Sequence, residues 1–404
     1  EEADRERREK AWRLSATRQL QDRQEINALY RQFVELRQSI ATNAGLNNYR
    51  DYRWQELLRF DYSPEDCYQF HNAIESAAVP AAQLLYEKRR QRLGLKKLRP
   101  WDLAVDPDGK PALKPFGTTR ELIEKSVKIF SQVEADFGNY FQLMYDENLL
   151  DLESRANKGP GGYCTYYPYS QRPFIFMNAV GIHEDVQTLM HEGGHAFQNF
   201  ECSQMPFFFL DIPAEFSEVA SMSMELLTSS YLGTDKGGFY SPAEAARARI
   251  QHLESMLLFW PYMAVVDAFQ HWVYENQQAA QEAENCDRCW AQLWERFMPG
   301  VDWGGLEQEM MTGWQRKPHI FDEPFYYIEY GMAQLGSVQI WRNSLEDREG
   351  SVAAYRQAIS LGRSVTIPEL YEAAGIRFAF DEQSLHTAVN TIMESIADLE
   401  LEID

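Results

Sequence analysis

The sequence predicts a mainly α-helical protein with one small β element, and three observations carry that expectation. Apolar residues recur at helical spacing from Asp4 to Ala44, and a helical pattern resumes at Arg120. Helix-start chemistry appears at Ser63-Pro64-Glu65-Asp66, which sets an N-cap serine before a proline at the first helical position. One stretch alone, Asn157 to Asn178 (NKGPGGYCTYYPYSQRPFIFMN), joins a glycine-rich turn to aromatic and β-branched residues broken by proline, which suggests a small hairpin or edge strands. The 404 residues allow two or three domains at about 150 residues each, and the expectation is one body with lobes.

Taken in order, the first 150 residues read as almost wholly helical. The exception is Gly94 to Thr119, whose four prolines and three glycines mark a loop or lobe boundary. After the β stretch, Asp185 to Met190 leads a helical run, and Ile212 to Ser230 reads as a helix starting just after Pro213. A further helix is expected to open near Pro324, and helix-type windows continue to the C-terminus without an internal repeat or low-complexity tract.

Composition excludes several classes. With 45% apolar and 25% charged residues the chain is neither disordered, collagen-like nor a coiled coil. Its formal charge of −22 argues against nucleic acid, because phosphate binding draws affinity from clustered Lys and Arg. The most apolar run, Met256 to Val266, holds eleven residues and a proline, against about 20 for a spanning helix, so no membrane segment is expected. The chain opens at Glu1 without Met or an apolar signal region, and a cytoplasmic origin is favoured. Five cysteines fit free thiols, and the isolated Cys286-x-x-Cys289 lacks the partners of a metal or redox motif.

The chemistry resides in His191-Glu192-Gly193-Gly194-His195, an HExxH pattern. On a helix, positions i and i+4 share a face, so both imidazoles can aim at one Zn²⁺ while Glu192 acts on the activated water as general base. A catalytic zinc needs a third protein ligand. Downstream, Glu218, Ser221, Met222 and Glu225 fall on one helix face, where a bare carboxylate is costly unless it meets a cation. Glu218 is the expected ligand and Glu215 the alternative, with Glu225 holding the other N–H of a ligand imidazole. The two glycines lower helix propensity by about 1 kcal/mol each. They call for a close neighbour, expected to be the Phe174 to Met177 strand or a bound substrate. Farther on, His319, Tyr327 and Tyr330 could supply donors to an oxyanion, although the same residues also read as an aromatic core stripe.

These residues give the chain a specific resemblance to zinc metallopeptidases of the thimet oligopeptidase and oligoendopeptidase F family, in particular the oligoendopeptidase F branch. It extends over TNAGLNNYRDYRWQELLRFDYSPEDC (Thr42 to Cys67), LRPWDL (Leu98 to Leu103), GGYCTYYPYSQRPFIFMN (Gly161 to Asn178), HEGGHAFQ (His191 to Gln198), EVASMSMELLT (Glu218 to Thr228) and HIFDEPFYYIEY (His319 to Tyr330). The resemblance implies one Zn²⁺ on His191, His195 and Glu218, with Glu192 as base. It implies substrate and oxyanion roles for His319, Tyr327 and Tyr330, with Tyr326 an adjacent competitor. It further implies that Gly161, Gly162 and Tyr163 contact substrate backbone by β-addition. The implied architecture is two helical lobes around a deep substrate channel, built from a helical lobe (1–150) lacking an upstream helical region and a zinc-binding catalytic lobe (151–404). The implied activity is endopeptidase cleavage of short unstructured oligopeptides. Two alternatives stand beside it. A metallocarboxypeptidase would need a cation for the substrate's terminal carboxylate, with Arg155 and Arg172 as candidates, and a non-catalytic peptide-binding module would leave HExxH incidental. The sequence leaves the oligomeric state open.

Overall fold

The computed structural model describes Glu2–Ile403. Seventeen α-helices, five short 3₁₀ helices and one three-stranded sheet make up its regular structure among the described residues, the mainly helical architecture that the periodicity predicts. Local chemistry sets many of the helix starts. Asp4, Asn48 and Thr118 each accept a backbone N–H of the first turn that follows, which satisfies donors that have no intrahelical partner. Ser63 and Asp66 form a reciprocal capping box at the start of Pro64–Arg92. In Thr119–Val133 the buried residues Leu122, Ile123, Ser126, Ile129, Phe130 and Val133 recur at helical spacing, so one stripe of the helix supplies its packing.

The residues group into two compact units, each discontinuous in sequence. The first holds the chain through Pro111, Leu257–Gly331 and Phe380–Val389; the second holds Ala112–Met256, Met332–Ala379 and the chain from Asn390 onward. These units do not divide at residue 150. The first division falls at Pro111, inside the proline-rich Gly94 to Thr119 segment, and the helices Pro242–Glu275 and Tyr327–Glu346 each contribute residues to both units. A linear boundary is the natural reading of a sequence, whereas helices that carry apolar residues on all sides can take part in two cores.

The first unit is cored by large aromatics, among them Tyr30, Phe269, Trp290 and Trp314, with Phe269 5.4 Å from Trp290 and Tyr30 4.8 Å from Trp314 between ring centroids. Inside this unit Arg59 and Glu329 form a pair at 2.5 Å in which neither side chain is more than 2% exposed. Cys286 and Cys289 lie buried on the helix Ala283–Phe297, and all five cysteines are free thiols.

The second unit contains the sheet, in the order β1 (Leu150–Glu153), β3 (Arg172–Ala179), β2 (Tyr163–Tyr167). β2 and β3 form the expected hairpin, antiparallel with Tyr163 opposite Phe176 and Tyr167 opposite Arg172. β1 was not signalled by the sequence: four residues show too little alternation, and the strand exists because β3 offers it a parallel partner. Along β3, Pro173, Ile175, Met177 and Ala179 face inward, packed with residues of His183–Glu201 such as Val186, Leu189 and Met190. The helix expected near Pro324 instead opens at Tyr327, because Phe325 adopts a left-handed φ of +66° and its N–H donates to Gln270 Oε1 at 2.8 Å. Among the described residues no helix is long and apolar enough to cross a membrane.

Candidate active site

The HExxH residues lie on His183–Glu201. This helix starts at a tight turn in which Gly181 has φ +93° and the Asp185 carboxylate accepts the N–H groups of Val180, Gly181 and Ile182 at 2.8, 2.7 and 3.0 Å. The two motif glycines have a packing origin different from the one expected. A Cβ at Gly194 would lie 2.6 Å from Ser221 Cα and 2.7 Å from Ala220 O, so the close neighbour is the backbone of the helix Ala214–Thr228. A Cβ at Gly193 would lie 2.6 Å from Cζ of Phe130. The strand Phe174 to Met177 is the limiting neighbour of neither.

That approach brings three donor groups together. Ligand atoms of His191, His195 and Glu218 lie within 4.8 Å of one another, with Glu218 Oε2 at 3.4 Å from His191 Nε2 and 3.6 Å from His195 Nε2. Glu218, and not the alternative Glu215, is the carboxylate of this group. Ser221 Oγ donates to Glu218 Oε2 at 3.1 Å. Burial opposes ionisation of Glu218, but the two imidazoles outweigh it and hold the carboxyl well below its usual range. Two nitrogens and an oxygen converging in this way form a donor set suited to Zn²⁺.

The surrounding partners orient the donors. Glu225 Oε1 lies 2.7 Å from His191 Nδ1, and its Oε2 lies 2.7 Å from His252 Nε2. Burial pushes the Glu225 carboxyl up, but hydrogen bonds from His191 and His252 bring it down to about 2. Ser217 Oγ sits 3.2 Å from His195 Nδ1. His252 carried no motif that sequence reasoning could use; only folding brings it within reach of Glu225. Glu192 is 6% exposed, its Oε2 has no hydrogen-bond partner, and burial raises its pKa above the ordinary carboxylate value.

The glycine loop lies in the same unit. Gly161 has φ +92°, which favours glycine, and a Cβ on Gly162 would lie 3.2 Å from Thr188 Cγ2. Asn178 Nδ2 donates to Gly159 O and Gly161 O at 2.8 and 3.0 Å, pinning the loop to β3. Lys158, missed in the sequence, is 1% exposed at its side chain and donates to Asp151 O, Glu153 O and Met177 O. Tyr163 is half exposed and stacks on Phe176 at 5.0 Å. β2 pairs with β3 alone, so among the described residues its other edge carries no strand. Arg155 and Arg172 are engaged by carboxylates, Asp151 at 2.6 and 2.9 Å and Glu147 at 2.6 and 3.0 Å respectively.

His319, Tyr326, Tyr327 and Tyr330 cluster within the first unit. The His319 ring centroid lies 6.2, 5.2 and 5.8 Å from those of Tyr326, Tyr327 and Tyr330. Lys317 Nζ stands 4.1 Å over the Tyr327 ring, and burial lowers its pKa to about 8. The expected site residues therefore form two groups, each compact within its own unit.

The model of peptidase family M3 matches residues 1–389. An oligoendopeptidase F homolog of Lactococcus lactis subsp. lactis (strain IL1403) is 22% identical over 86% of this chain and 59% of its own length. The oligopeptidase PepF of Bacillus subtilis (strain 168) is 21% identical over 93% of this chain and 56% of its own. Among solved structures, PZ peptidase A with an inhibitor superposes with a TM-score of 0.91 at 33% identity, covering 98% of this chain and 70% of that one. The chain thus spans under two thirds of the length of these two curated relatives. A family match along nearly the whole sequence, joined to a helix that carries HExxH beside Glu218, makes this chain a member of peptidase family M3.

Proposed function

We propose that the chain is a zinc-dependent endopeptidase that hydrolyses internal bonds of short, unstructured peptides. The observation that carries this reading is the convergence of His191, His195 and Glu218 within 4.8 Å beside the buried, unpartnered Glu192 Oε2. Zn²⁺ bound by those three side chains would supply Lewis acidity and lower the pKa of the attacking water. Glu192 Oε2 takes the proton from that water and then delivers it to the leaving amine nitrogen. Its burial favours this role, because a carboxyl raised above its ordinary pKa both accepts and returns a proton readily. Glu225 holds His191 with Nε2 turned toward Glu218, where it would bind the metal. The free edge of β2 and the loop at Gly161, Gly162 and Tyr163 bind substrate backbone by strand addition. His319, with Tyr327 or Tyr330, donates to the oxyanion, and Tyr326 lines the peptide path.

The carboxypeptidase alternative loses support because both candidate arginines are already paired with carboxylates. Free thiols accord with action in a reducing, cytoplasmic compartment. The test is cleavage of an internally quenched peptide blocked at both ends, before chelation, after chelation and after zinc is restored. Internal cleavage lost on chelation and regained with zinc is expected. Trimming that requires a free C-terminus would move the assignment to an exopeptidase, and absence of both cleavage and zinc would move it to a peptide-binding module.

A further inference from the structure

Away from the HExxH cluster, a second set of metal donors is gathered inside the first unit. Two helices each present donors at i and i+4: Cys67 and His71 on Pro64–Arg92, and Asp267 and His271 on Pro242–Glu275. This spacing puts both members of a pair on one helix face. The two pairs meet, so that ligand atoms of Cys67, Asp267 and His271 lie within 4.8 Å of one another. None of the three is more than 1% exposed. His71 Nε2 lies 2.8 Å from Asp267 Oδ2 and His271 Nε2 lies 3.3 Å from the same oxygen without hydrogen-bond geometry, while Asp267 Oδ1 is buried without a partner. An orphaned buried polar atom costs about 1–3 kcal/mol, and a carboxylate in a dry core is hydrogen-bonded, paired or metal-bound.

We propose that Cys67, Asp267 and His271 supply three ligands to a second Zn²⁺ site, with His71 orienting the Asp267 carboxylate. A sulfur, an imidazole nitrogen and a carboxylate oxygen suit zinc and do not suit Mg²⁺ or Ca²⁺, which take oxygen ligands. A thiolate and a carboxylate together balance the charge of the dication. The adjacent Arg50 guanidinium is itself engaged, donating to Glu275 Oε1 at 2.5 Å and to Tyr68 OH at 2.8 Å. Metal entry displaces the Cys67 proton to solvent and gives Asp267 Oδ1 and His271 Nε2 a common partner. Joining donors from two helices, the ion has a structural role in tying them together.

A metal-free arrangement competes with this one. Arg50 Nη1 lies 3.2 Å from His271 Nδ1, and donation there would leave the proton on Nε2, facing Asp267 Oδ2 at 3.3 Å. The core would then be a His-Asp-His hydrogen-bonded network. Substituting Co²⁺ into the full chain separates the two, because the proposed catalytic ligands include no sulfur. We expect a second equivalent of bound metal and a thiolate-to-cobalt charge-transfer absorption, both lost in Cys67→Ser while the first equivalent remains. Should Cys67→Ser fail to fold, Asp267→Asn and the wild-type measurements carry the test. Saturation at one equivalent without a sulfur band, a band that survives Cys67→Ser, or a proton on His271 Nε2 in the metal-saturated protein would each overturn the site. None of these readings depends on peptide hydrolysis, so this proposal and the proposed activity can fail separately.

Discussion

The position a Cβ would take on Gly194 lies 2.6 Å from the Cα of Ser221, so the two helices that carry the three proposed zinc ligands touch at a point where only glycine fits. Gly194→Ala forces backbone against backbone. A loss of about 1–3 kcal/mol in folding free energy is expected, the usual cost of overpacking. Glu218 should also be displaced from His191 and His195, so metal retained after dialysis should fall. Denaturant unfolding and metal content together check this. Gly193→Ala would meet the Phe130 ring, which is fully buried against Phe141 and Phe197, and should destabilise as well.

Glu225 touches two imidazoles, and its removal takes the acceptor from His191 Nδ1 and His252 Nε2. Metal affinity of Glu225→Ala should drop by about 10–100-fold, the range for a residue that orients a ligand histidine. His252→Gln acts through Glu225 and should produce the smaller drop. Competition with a chromogenic chelator measures both, and an unchanged affinity in Glu225→Ala would deny Glu225 its orienting role.

Replacement of Glu192 by Gln keeps size and removes the base. On the proposed mechanism kcat falls by at least ~10²–10⁴-fold while bound zinc and KM stay near wild type. Steady-state kinetics with metal analysis decide the matter; turnover at the wild-type rate would require another base.

Lys158 fastens the glycine loop to carbonyls of β1 and β3. Lys158→Met removes the donor of these hydrogen bonds, at roughly 0.5–1.5 kcal/mol for each bond lost. If the loop and the β2 edge bind substrate backbone, KM should rise more than kcat falls. A variant with wild-type KM would separate the loop from substrate binding.

The Arg59–Glu329 pair predicts a purely structural effect. Glu329→Ala breaks this buried ion pair and should cost about 3–5 kcal/mol. Thermal or denaturant unfolding reads this directly.

Much of the site can be read in the chain because the relevant spacings are local. His191 and His195 share a face by helix geometry alone, and Glu218 stands out as an acid among small residues and methionines on an apolar face. The same locality explains why Ser63-Pro64-Glu65-Asp66 marks a helix start and why β2 and β3 announce a hairpin. What depended on distant segments was not legible. β1 exists only beside β3, Gly194 is explained only by Ser221, and His252 acquires a partner only when its helix packs near Glu225. Cys67 and His271 lie 204 positions apart, and no periodicity joins them. The sequence alone therefore determined the helical class, the motif and the donor types, since these follow from spacing along one helix or hairpin. Tertiary packing decided which carboxylate meets the imidazoles, which backbone demands glycine and where the compact units divide, because each depends on surfaces that meet only once the chain has folded.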